Sequence, residues 1–315
     1  MQGLYTTNKR IGNVKHEGIK TMKNKIKIIT GLVVAGLVAI GGAFAIGKNN
    51  STNNVTVDAT SGSTATLFFH GWGSSSNAED FMAQGIKNSG ATKTIIKANV
   101  SPSKKVTFNR NFSSKTKNPV IEVNIQDNKL AHLRGKSNNY AKVYPQSGDY
   151  VKAAVQAIEK KTKSKNINLV SHSMGNLEVM NYINNEANKK NFPNIKHLVS
   201  IAGHYDGIIG ENDRANQIKL NKDGKPNVMR PEYRELLELR RKFPKNIQVL
   251  NIFGDKLDGT HSDGPVANNS AKSLKYLLNE RAKSYQELKI NGKNAQHSKL
   301  HHNIQVNDAI IKFLF

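Results

Sequence analysis

A serine with a small residue two positions before it and two positions after it is the most informative chemical pattern in this sequence. It is the central residue of Ser171-His172-Ser173-Met174-Gly175. The apolar run at 167–170 predicts a buried strand, and apolar residues at helical spacing from 177 onward predict a helix. A strand that turns this sharply into a helix leaves room only for small side chains at the two flanking positions. The turn would lift the Ser173 hydroxyl clear of the sheet as a nucleophile.

A serine hydroxyl is a weak nucleophile, so it needs a base within hydrogen-bond reach and an acid that orients that base. The base should follow the last strand, where the loop at 291–303 contains His297, His301 and His302. We predict that His297 is the base and keep His301 as the alternative. These two histidines also have a spacing that could ligate a metal on a helix. No acidic motif accompanies them, so we predict neither a metal nor an organic cofactor.

Three aspartates follow the predicted strand at 247–253, and any of them could be the acid. Asp263 lies in a turn, Ser-Asp-Gly-Pro-Val, that precedes a helix and would hold a carboxylate at the carboxyl edge of the sheet. Asp255 and Asp258 are closer to the strand but lie in a looser, glycine-flanked segment. We predict that Asp263 is the acid, with Asp258 as the alternative.

Acyl transfer also needs two fixed N–H donors for the oxyanion that forms on the substrate. The turn after the nucleophile places the Met174 N–H. The second donor should come from the segment His-Gly-Trp-Gly at 70–73, directly after the first predicted strand. We therefore predict the Trp72 N–H as the second donor, with the Trp72 side chain either beside the pocket or in the core.

Strands alternate with amphipathic helices along the rest of the chain. Runs at 65–69, 94–100, 120–125, 167–170, 197–202, 247–253 and 285–290 predict strands. This alternation predicts an α/β fold, with a mostly parallel sheet covered by helices on both faces. The long excursion at 203–246 predicts an inserted cap or lid over the site.

The N-terminal part of the chain has a different composition. Residues 28–46 contain no charge and would span about 28 Å as a helix, close to the thickness of a bilayer core. The basic segment at 1–27 should stay in the cytoplasm, which places the rest of the chain outside. We therefore predict a membrane helix or signal peptide at 28–46, a polar linker at 47–63 and one domain at 64–315. Whether the leader is cleaved stays open.

The chain carries a formal net charge of +24 and contains no cysteine. The absence of cysteine excludes a disulfide framework and a thiolate nucleophile. Such a basic surface attracts polyanions. The sequence shows no nucleic-acid recognition motif, so we predict no nucleic-acid partner. Anionic lipid or an anionic cell-wall polymer fits an outward-facing protein better, and a basic face without a specific partner is the alternative.

With these residues identified, the chain resembles the α/β-hydrolase superfamily. The resemblance covers about 64–315. It rests on the His-Gly-Trp-Gly segment at 70–73, the elbow around Ser173, the turn around Asp263 and the segment Ala-Gln-His-Ser-x-Leu-His at 295–301. More narrowly, it is similar to cell-surface α/β hydrolases of Gram-positive bacteria whose substrates are undefined. The resemblance implies a lipase-like or esterase-like serine hydrolase and favours His297 over His301. Ser171 for the first elbow glycine and Asn176 for a later glycine depart from the pattern.

These observations predict an extracytoplasmic serine hydrolase that cleaves carboxylic esters, either membrane-anchored or secreted. An acyltransferase would use the same residues with an alcohol as acceptor and is one alternative. A non-catalytic surface protein that binds anionic polymers through its basic face is the other. The sequence leaves open the substrate's acyl chain and headgroup, the oligomeric state and any lid motion.

Overall fold

The computed structural model describes residues 63–137 and 139–315. The predicted cytoplasmic segment, the membrane helix or signal peptide at 28–46 and almost all of the linker lie outside these residues. Within the described part of the chain, no helix is both long and apolar enough to cross a membrane.

Eight strands form one sheet, and neighbouring strands are parallel except for one antiparallel pair, β2 with β3, at an edge. The spatial order is β3-β2-β4-β1-β5-β6-β7-β8. The strands are β1 (Ala65–Phe69), β2 (Ile95–Val100), β3 (Val106–Phe108), β4 (Val120–Ile125), β5 (Asn166–His172), β6 (Asn194–Ile201), β7 (Gln248–Asp255) and β8 (Ser284–Asn291). The predicted mostly parallel sheet is confirmed, and the basic segment after β2 contributes the short antiparallel strand β3.

Helices connect most of these strands. They are α1 (Asp80–Asn88), α2 (Ala131–Arg134), α3 (Tyr140–Thr162), α4 (Met174–Glu186), α5 (Pro231–Glu235), α6 (Leu239–Lys242), α7 (Asn268–Lys272), α8 (Leu274–Leu278) and α9 (Ile304–Leu314). Short 3-10 helices cover Ser76–Glu79, Gly292–Ala295 and His297–His302. Helix α3 spans 23 residues, and Val143 and Tyr144 extend its buried face toward the N-terminus.

Two apolar layers, one on each face of the sheet, hold the fold together. Leu67 and Phe69 of β1 point to the layer that contains α3 and α4, and Phe68 points to the layer that contains α1 and α9. This alternation is the period of two expected for a strand, and burial on both faces is characteristic of a parallel sheet. The two layers fix the carboxyl ends of the strands, where the loops after β1, β5, β7 and β8 meet.

The segment at 203–246, predicted as a cap, divides into two parts. Residues 204–212 contribute to the wall of a cleft above the sheet. The later part packs downward, because Tyr233, Leu236, Leu239 and Phe243 are fully buried in the layer with α3 and α4.

Two buried carboxyl groups, Glu79 and Glu122, lie near the segment that connects β1 to α1. Glu79 ends the 3-10 helix before α1 and Glu122 lies on β4, and both side chains are almost fully buried. Burial raises the pKa of each group to about 8, and the charge of Glu122 adds to the effect on Glu79. Glu79 is therefore mostly protonated near neutral pH.

Replacing Glu79 with Gln should flatten the dependence of stability on pH. In the unfolded chain Glu79 ionises near 4.5, so the folded form holds a proton that the unfolded form has lost. The stability of the native protein should therefore fall as pH rises from about 5 to about 8. The fall should be smaller in Glu79→Gln by about 1–3 kcal/mol. Urea unfolding at both pH values measures the decrease in unfolding free energy. Equal decreases in the native protein and in Glu79→Gln would contradict the placement of Glu79.

Candidate active site

Ser173 lies at the junction between β5 and α4, in a backbone conformation that non-glycine residues rarely adopt. Its φ is 53° and its ψ is −122°. The turn is held in place because the Ser173 N–H donates to the Ile201 carbonyl at 3.0 Å. A Cβ atom on Gly175 would lie 2.6 Å from the Phe69 carbonyl oxygen, so β1 and the start of α4 can approach this closely only at a glycine. Local strain of this kind concentrates at functional sites.

The two departures from the elbow pattern contact each other. The Ser171 hydroxyl donates to Asn176 Oδ1 at 2.8 Å. The Asn176 amide in turn donates to the Ser173 carbonyl at 3.0 Å and to the Ile201 carbonyl at 2.9 Å. Ser171 and Asn176 are both almost fully buried. This pair ties the elbow to β6 with hydrogen bonds that two glycines could not make.

The pair should show energetic coupling. Ser171→Ala leaves the buried Asn176 Oδ1 with only a long contact, 3.5 Å, from the Tyr205 hydroxyl, so it should cost about 1–3 kcal/mol of unfolding free energy. Asn176→Ala should cost a similar amount. In the double variant the losses should fall short of additivity by about 1 kcal/mol. Chemical denaturation of the four proteins measures this coupling, and strictly additive losses would mean that the two side chains act independently.

Three side chains from separate loops form one hydrogen-bonded chain. The Ser173 hydroxyl lies 2.9 Å from His297 Nε2, and His297 Nδ1 lies 2.7 Å from Asp263 Oδ2. The other carboxylate oxygen of Asp263 accepts from the Val266 N–H at 2.8 Å. Because both oxygens of the buried carboxylate accept hydrogen bonds, Nδ1 of His297 is the donor toward Asp263. Nε2 is then free to accept the proton of the Ser173 hydroxyl.

The alternative candidates lie in other environments. Asp258 is exposed and binds Lys256 and Thr260, and these contacts hold the pKa of its carboxyl below the usual range. Asp255 is buried, but its carboxylate accepts from Lys289 at 2.7 Å and from Asn268 at 3.0 Å. His301 lines the same cleft as Ser173 but has no hydrogen bond to a carboxylate or to Ser173 among the described residues.

The loop that carries His297 is fixed at several points. Its backbone N–H donates to the Asp263 carbonyl at 2.9 Å, and its carbonyl accepts from His172 Nε2 at 3.1 Å. A Cβ atom on Gly254 of β7 would lie 2.1 Å from the carbonyl oxygen of Ala295, so this loop lies directly against the strand. Burial, together with the neighbouring His297, lowers the pKa of His172 well below its ordinary value, which keeps the ring neutral. A neutral ring with one N–H is the form that can donate to a carbonyl.

The segment after β1 lies against the nucleophile. A Cβ atom on Gly71 would lie 2.9 Å from the Ser173 Cβ atom. The Trp72 and Met174 N–H groups have no acceptor among the described residues, so both are available to a ligand. His70 fixes this segment, because its ring accepts from the Ile125 N–H at 3.1 Å and contacts the Gly71 carbonyl at 2.9 Å. Burial lowers the pKa of His70 and keeps its ring neutral.

A cleft of about 550 Å³ opens above Ser173. That volume is in the range of pockets that take small molecules. Its wall includes the Trp72 side chain, which is 54% exposed and therefore lies beside the pocket and not in the core. The other aromatic residues of the wall are Tyr140 and Tyr144 of α3.

Two further histidines of the cleft are also neutral at neutral pH. Burial and the neighbouring His297 lower the pKa of His204 to about 4. Burial and the neighbouring His302 lower the pKa of His301 to about 4. No cluster of metal ligands occurs among the residues that the structure describes. The arrangement therefore offers a hydroxyl nucleophile, a base, a buried carboxylate and two free N–H donors, which is the set that acyl transfer requires.

Sequence reasoning did not assign roles to several residues of this site. His70 and His172 were noted only as parts of motifs, because a histidine that holds a backbone carbonyl has no sequence pattern of its own. Glu232 and Tyr144 reach the cleft from α5 and α3, and their approach depends on how these helices pack. Only the helical spacing of α3, extended toward its N-terminus, could have indicated Tyr144.

Residues 52–315 match the sequence pattern of a protein family described as α/β hydrolases of unknown function (DUF915). A solved structure from Listeria innocua superposes with a TM-score of 0.68 at 20% identity, covering 80% of this chain and 94% of that one. Another, described as a "putative cell surface hydrolase" from Lactobacillus plantarum, gives a TM-score of 0.60 at 18% identity over 80% and 90% of the two chains. No curated protein sequence is significantly similar to this chain.

Proposed function

Because the chain belongs to this family of α/β hydrolases of unknown function, we propose that it is a serine hydrolase that cleaves carboxylic esters outside the cytoplasm. The observation that carries the proposal is the hydrogen-bonded chain from Ser173 through His297 to Asp263, at the mouth of a cleft of small-molecule size. We propose these three residues as nucleophile, base and acid. The extracytoplasmic location rests on the sequence of the N-terminal segment.

The first half of the proposed reaction forms an acyl-enzyme. The Ser173 oxygen attacks the ester carbonyl while its proton passes to His297 Nε2. The negative charge on the carbonyl oxygen is stabilised by the N–H groups of Met174 and Trp72. The tetrahedral intermediate then collapses, the bond to the alkoxy oxygen breaks, and the protonated His297 gives its proton to the departing alcohol. Asp263 stabilises the positive charge on the imidazole without taking its proton.

Water completes the cycle by the same route in reverse. It loses a proton to His297 as its oxygen attacks the acyl carbon, and the second tetrahedral intermediate releases the carboxylic acid. The proton returns from His297 to the Ser173 oxygen. An alcohol in place of this water would give a transesterified product, so acyl transfer uses the same residues and differs only in the acceptor.

Release of p-nitrophenolate from short p-nitrophenyl esters tests the proposal. We expect multiple turnovers by the native protein at neutral pH and a rate at least about 10⁴-fold lower from Ser173→Ala. Product analysis with added glycerol as a competing alcohol separates hydrolysis from acyl transfer, because only a transferase would give the glycerol ester in excess of the free acid. No turnover by the native protein would favour the non-catalytic alternative.

A second groove on the surface supports an additional binding function, which does not depend on the catalytic site. It lies between β3 and α3, and five lysines line it: Lys104, Lys152, Lys160, Lys161 and Lys163. Two of these lysines are paired, with Asp149 and Glu186, and the other three form no salt bridge among the described residues. We propose that this face binds anionic lipid or an anionic cell-wall polymer. Retention of the protein on anionic vesicles, and its loss at high salt, would test this.

A further inference from the structure

The charged side chains in the wall of the cleft all have the same sign, which is opposite to the net charge of the protein. The chain carries a formal charge of +24. In the described structure the cleft is lined by two glutamates, Glu211 and Glu232, and by no lysine or arginine. The histidines His172, His204 and His301 of the wall have lowered pKa values and stay neutral. The charge of the cleft wall therefore differs in sign from the net charge of the chain.

Neither carboxylate has a partner among the described residues. Glu211 and Glu232 form no salt bridge and accept no hydrogen bond among the described residues, and Glu232 Oε2 is shielded from solvent. Glu211 is exposed, whereas Glu232 Oε2 is withdrawn from water, and such an oxygen normally has a partner because burial of an unpaired charge is costly. A cationic ligand in the cleft would supply that partner.

Aromatic rings lie beside these carboxylates. The rings of Tyr140 and Tyr144 lie 5.8 Å apart, and the ring of His204 lies 6.2 Å from that of Tyr144. Tyr144 is 6% exposed, and its hydroxyl has no hydrogen bond within the described chain although it lines the cleft. Burial is the main cause that raises the pKa of this tyrosine, and the charge of the buried Glu178 comes next, followed by smaller contributions that include Glu232 and Glu211. Aromatic faces next to carboxylates attract ammonium groups.

Three cations contact residues of the wall or lie behind it without lining the cleft themselves. Lys129 lies over the ring of Trp72 at 4.9 Å, and Arg134 lies over the ring of Tyr140 at 5.7 Å. Arg230, behind the wall, is paired with the buried Asp213. These contacts do not neutralise the two glutamates, but Lys129 could attract an anionic ester to the rim. A preference for cationic esters would indicate that the glutamates of the wall act on the ligand, and a preference for anionic esters would indicate that Lys129 at the rim does.

We propose that the cleft selects esters that carry an ammonium group, held between the tyrosine rings of Tyr140 and Tyr144 and the carboxylates of Glu211 and Glu232. This inference rests on the proposed ester hydrolysis, since it concerns the substrate class of the same site. The ammonium group belongs to either the acyl or the alcohol part of the ester. Glu211 and Glu232 are specificity-determining residues in this account, and they take no part in the bond-breaking steps.

Pairs of esters that differ only in charge test the proposal. Butyrylcholine and 3,3-dimethylbutyl butyrate have the same shape, with a quaternary nitrogen in one and a carbon in the other. The p-nitrophenyl esters of 4-(trimethylammonio)butyrate and 5,5-dimethylhexanoate are the matching pair for the acyl side. We expect kcat/KM for the cationic member of at least one pair to exceed that of its neutral partner by about tenfold or more.

The variant Glu211→Gln/Glu232→Gln should reduce that ratio to about one to two, because it removes both charges and keeps the shapes. Glu235→Gln is the matched control: it lies on the same helix as Glu232, is exposed and does not line the cleft. We expect it to keep the ratio of the native protein. Thermal unfolding of the three proteins establishes that each is folded.

Four outcomes would overturn the inference while leaving ester hydrolysis intact: equal rates within both pairs, a preference for the neutral esters, faster turnover of an anionic ester, or a preference that persists in the double variant. If no ester is turned over, the proposed hydrolysis fails and binding decides the inference. Trp72 is the only tryptophan of the chain and borders the cleft, so its fluorescence reports occupancy. Choline should then bind at least about tenfold more tightly than 3,3-dimethylbutanol at matched ionic strength, and equal affinities would overturn the inference.

Discussion

Replacing Ser173 with alanine should lower kcat/KM for a short p-nitrophenyl ester by about 10⁴-fold or more. The substitution removes the only hydroxyl that contacts His297 Nε2 in the described structure. The remaining rate should come from the free N–H groups and from binding in the cleft, which do not depend on the hydroxyl. Initial rates under subsaturating substrate measure the change.

The same variant should remain folded. The elbow needs no atom of the Ser173 side chain beyond Cβ, because the turn is held by the backbone N–H of residue 173 and by the amide of Asn176. Its midpoint of unfolding should match or exceed that of the native protein, since the backbone strain is unchanged. Residual activity within about tenfold of the native rate would mean that another residue is the nucleophile.

Replacing Asp263 with asparagine should lower kcat by about 10⁴-fold. The amide would present an N–H₂ group either to His297 Nδ1 or to the Val266 N–H, and one of these donors would lose its acceptor. To restore a hydrogen bond with the amide, His297 would place its proton on Nε2. In that tautomer it cannot accept a proton from Ser173. The defect should therefore appear in kcat, with a smaller change in KM.

Asp258→Asn is the matched control for this prediction. Asp258 is exposed and its partners are Lys256 and Thr260. The substitution therefore removes a surface ion pair that makes no hydrogen bond to His297. We expect kcat within about twofold of the native value, because surface pairs of this kind contribute little. A large loss in Asp258→Asn with a small loss in Asp263→Asn would reverse the assignment of the acid.

The order of strands and helices was predictable because both follow from local apolar periodicity. The two apolar layers were also predictable, since continuous apolar runs such as 65–69 require burial on both faces. The start of α3 was harder to predict, because Val143 and Tyr144 become buried only when α3 packs beside its neighbours. The inward packing of Tyr233 and Phe243 likewise depends on tertiary contacts that a long, charged insertion does not announce.

The site shows the same division between local and tertiary information. The turn around Ser173 has a local sequence requirement, so its residues could be named before the fold was known. The choice among Asp255, Asp258 and Asp263 depends on partners distant in sequence: Lys289 engages the first, and His297 contacts the last. Ser171 was a departure from the pattern in sequence, and its hydrogen bond to Asn176 gives the departure a physical reason.

The central claim is that Ser173 is an activated nucleophile, and covalent labelling with a fluorophosphonate tests it most directly. The reagent bonds to a serine oxygen only when a neighbouring base takes its proton, so it reports on the hydroxyl and on His297 together. We predict one adduct per chain by intact mass, mapped to the peptide that contains Ser173 and absent from Ser173→Ala. Labelling of a different residue, or a native protein that stays unlabelled, would contradict the account.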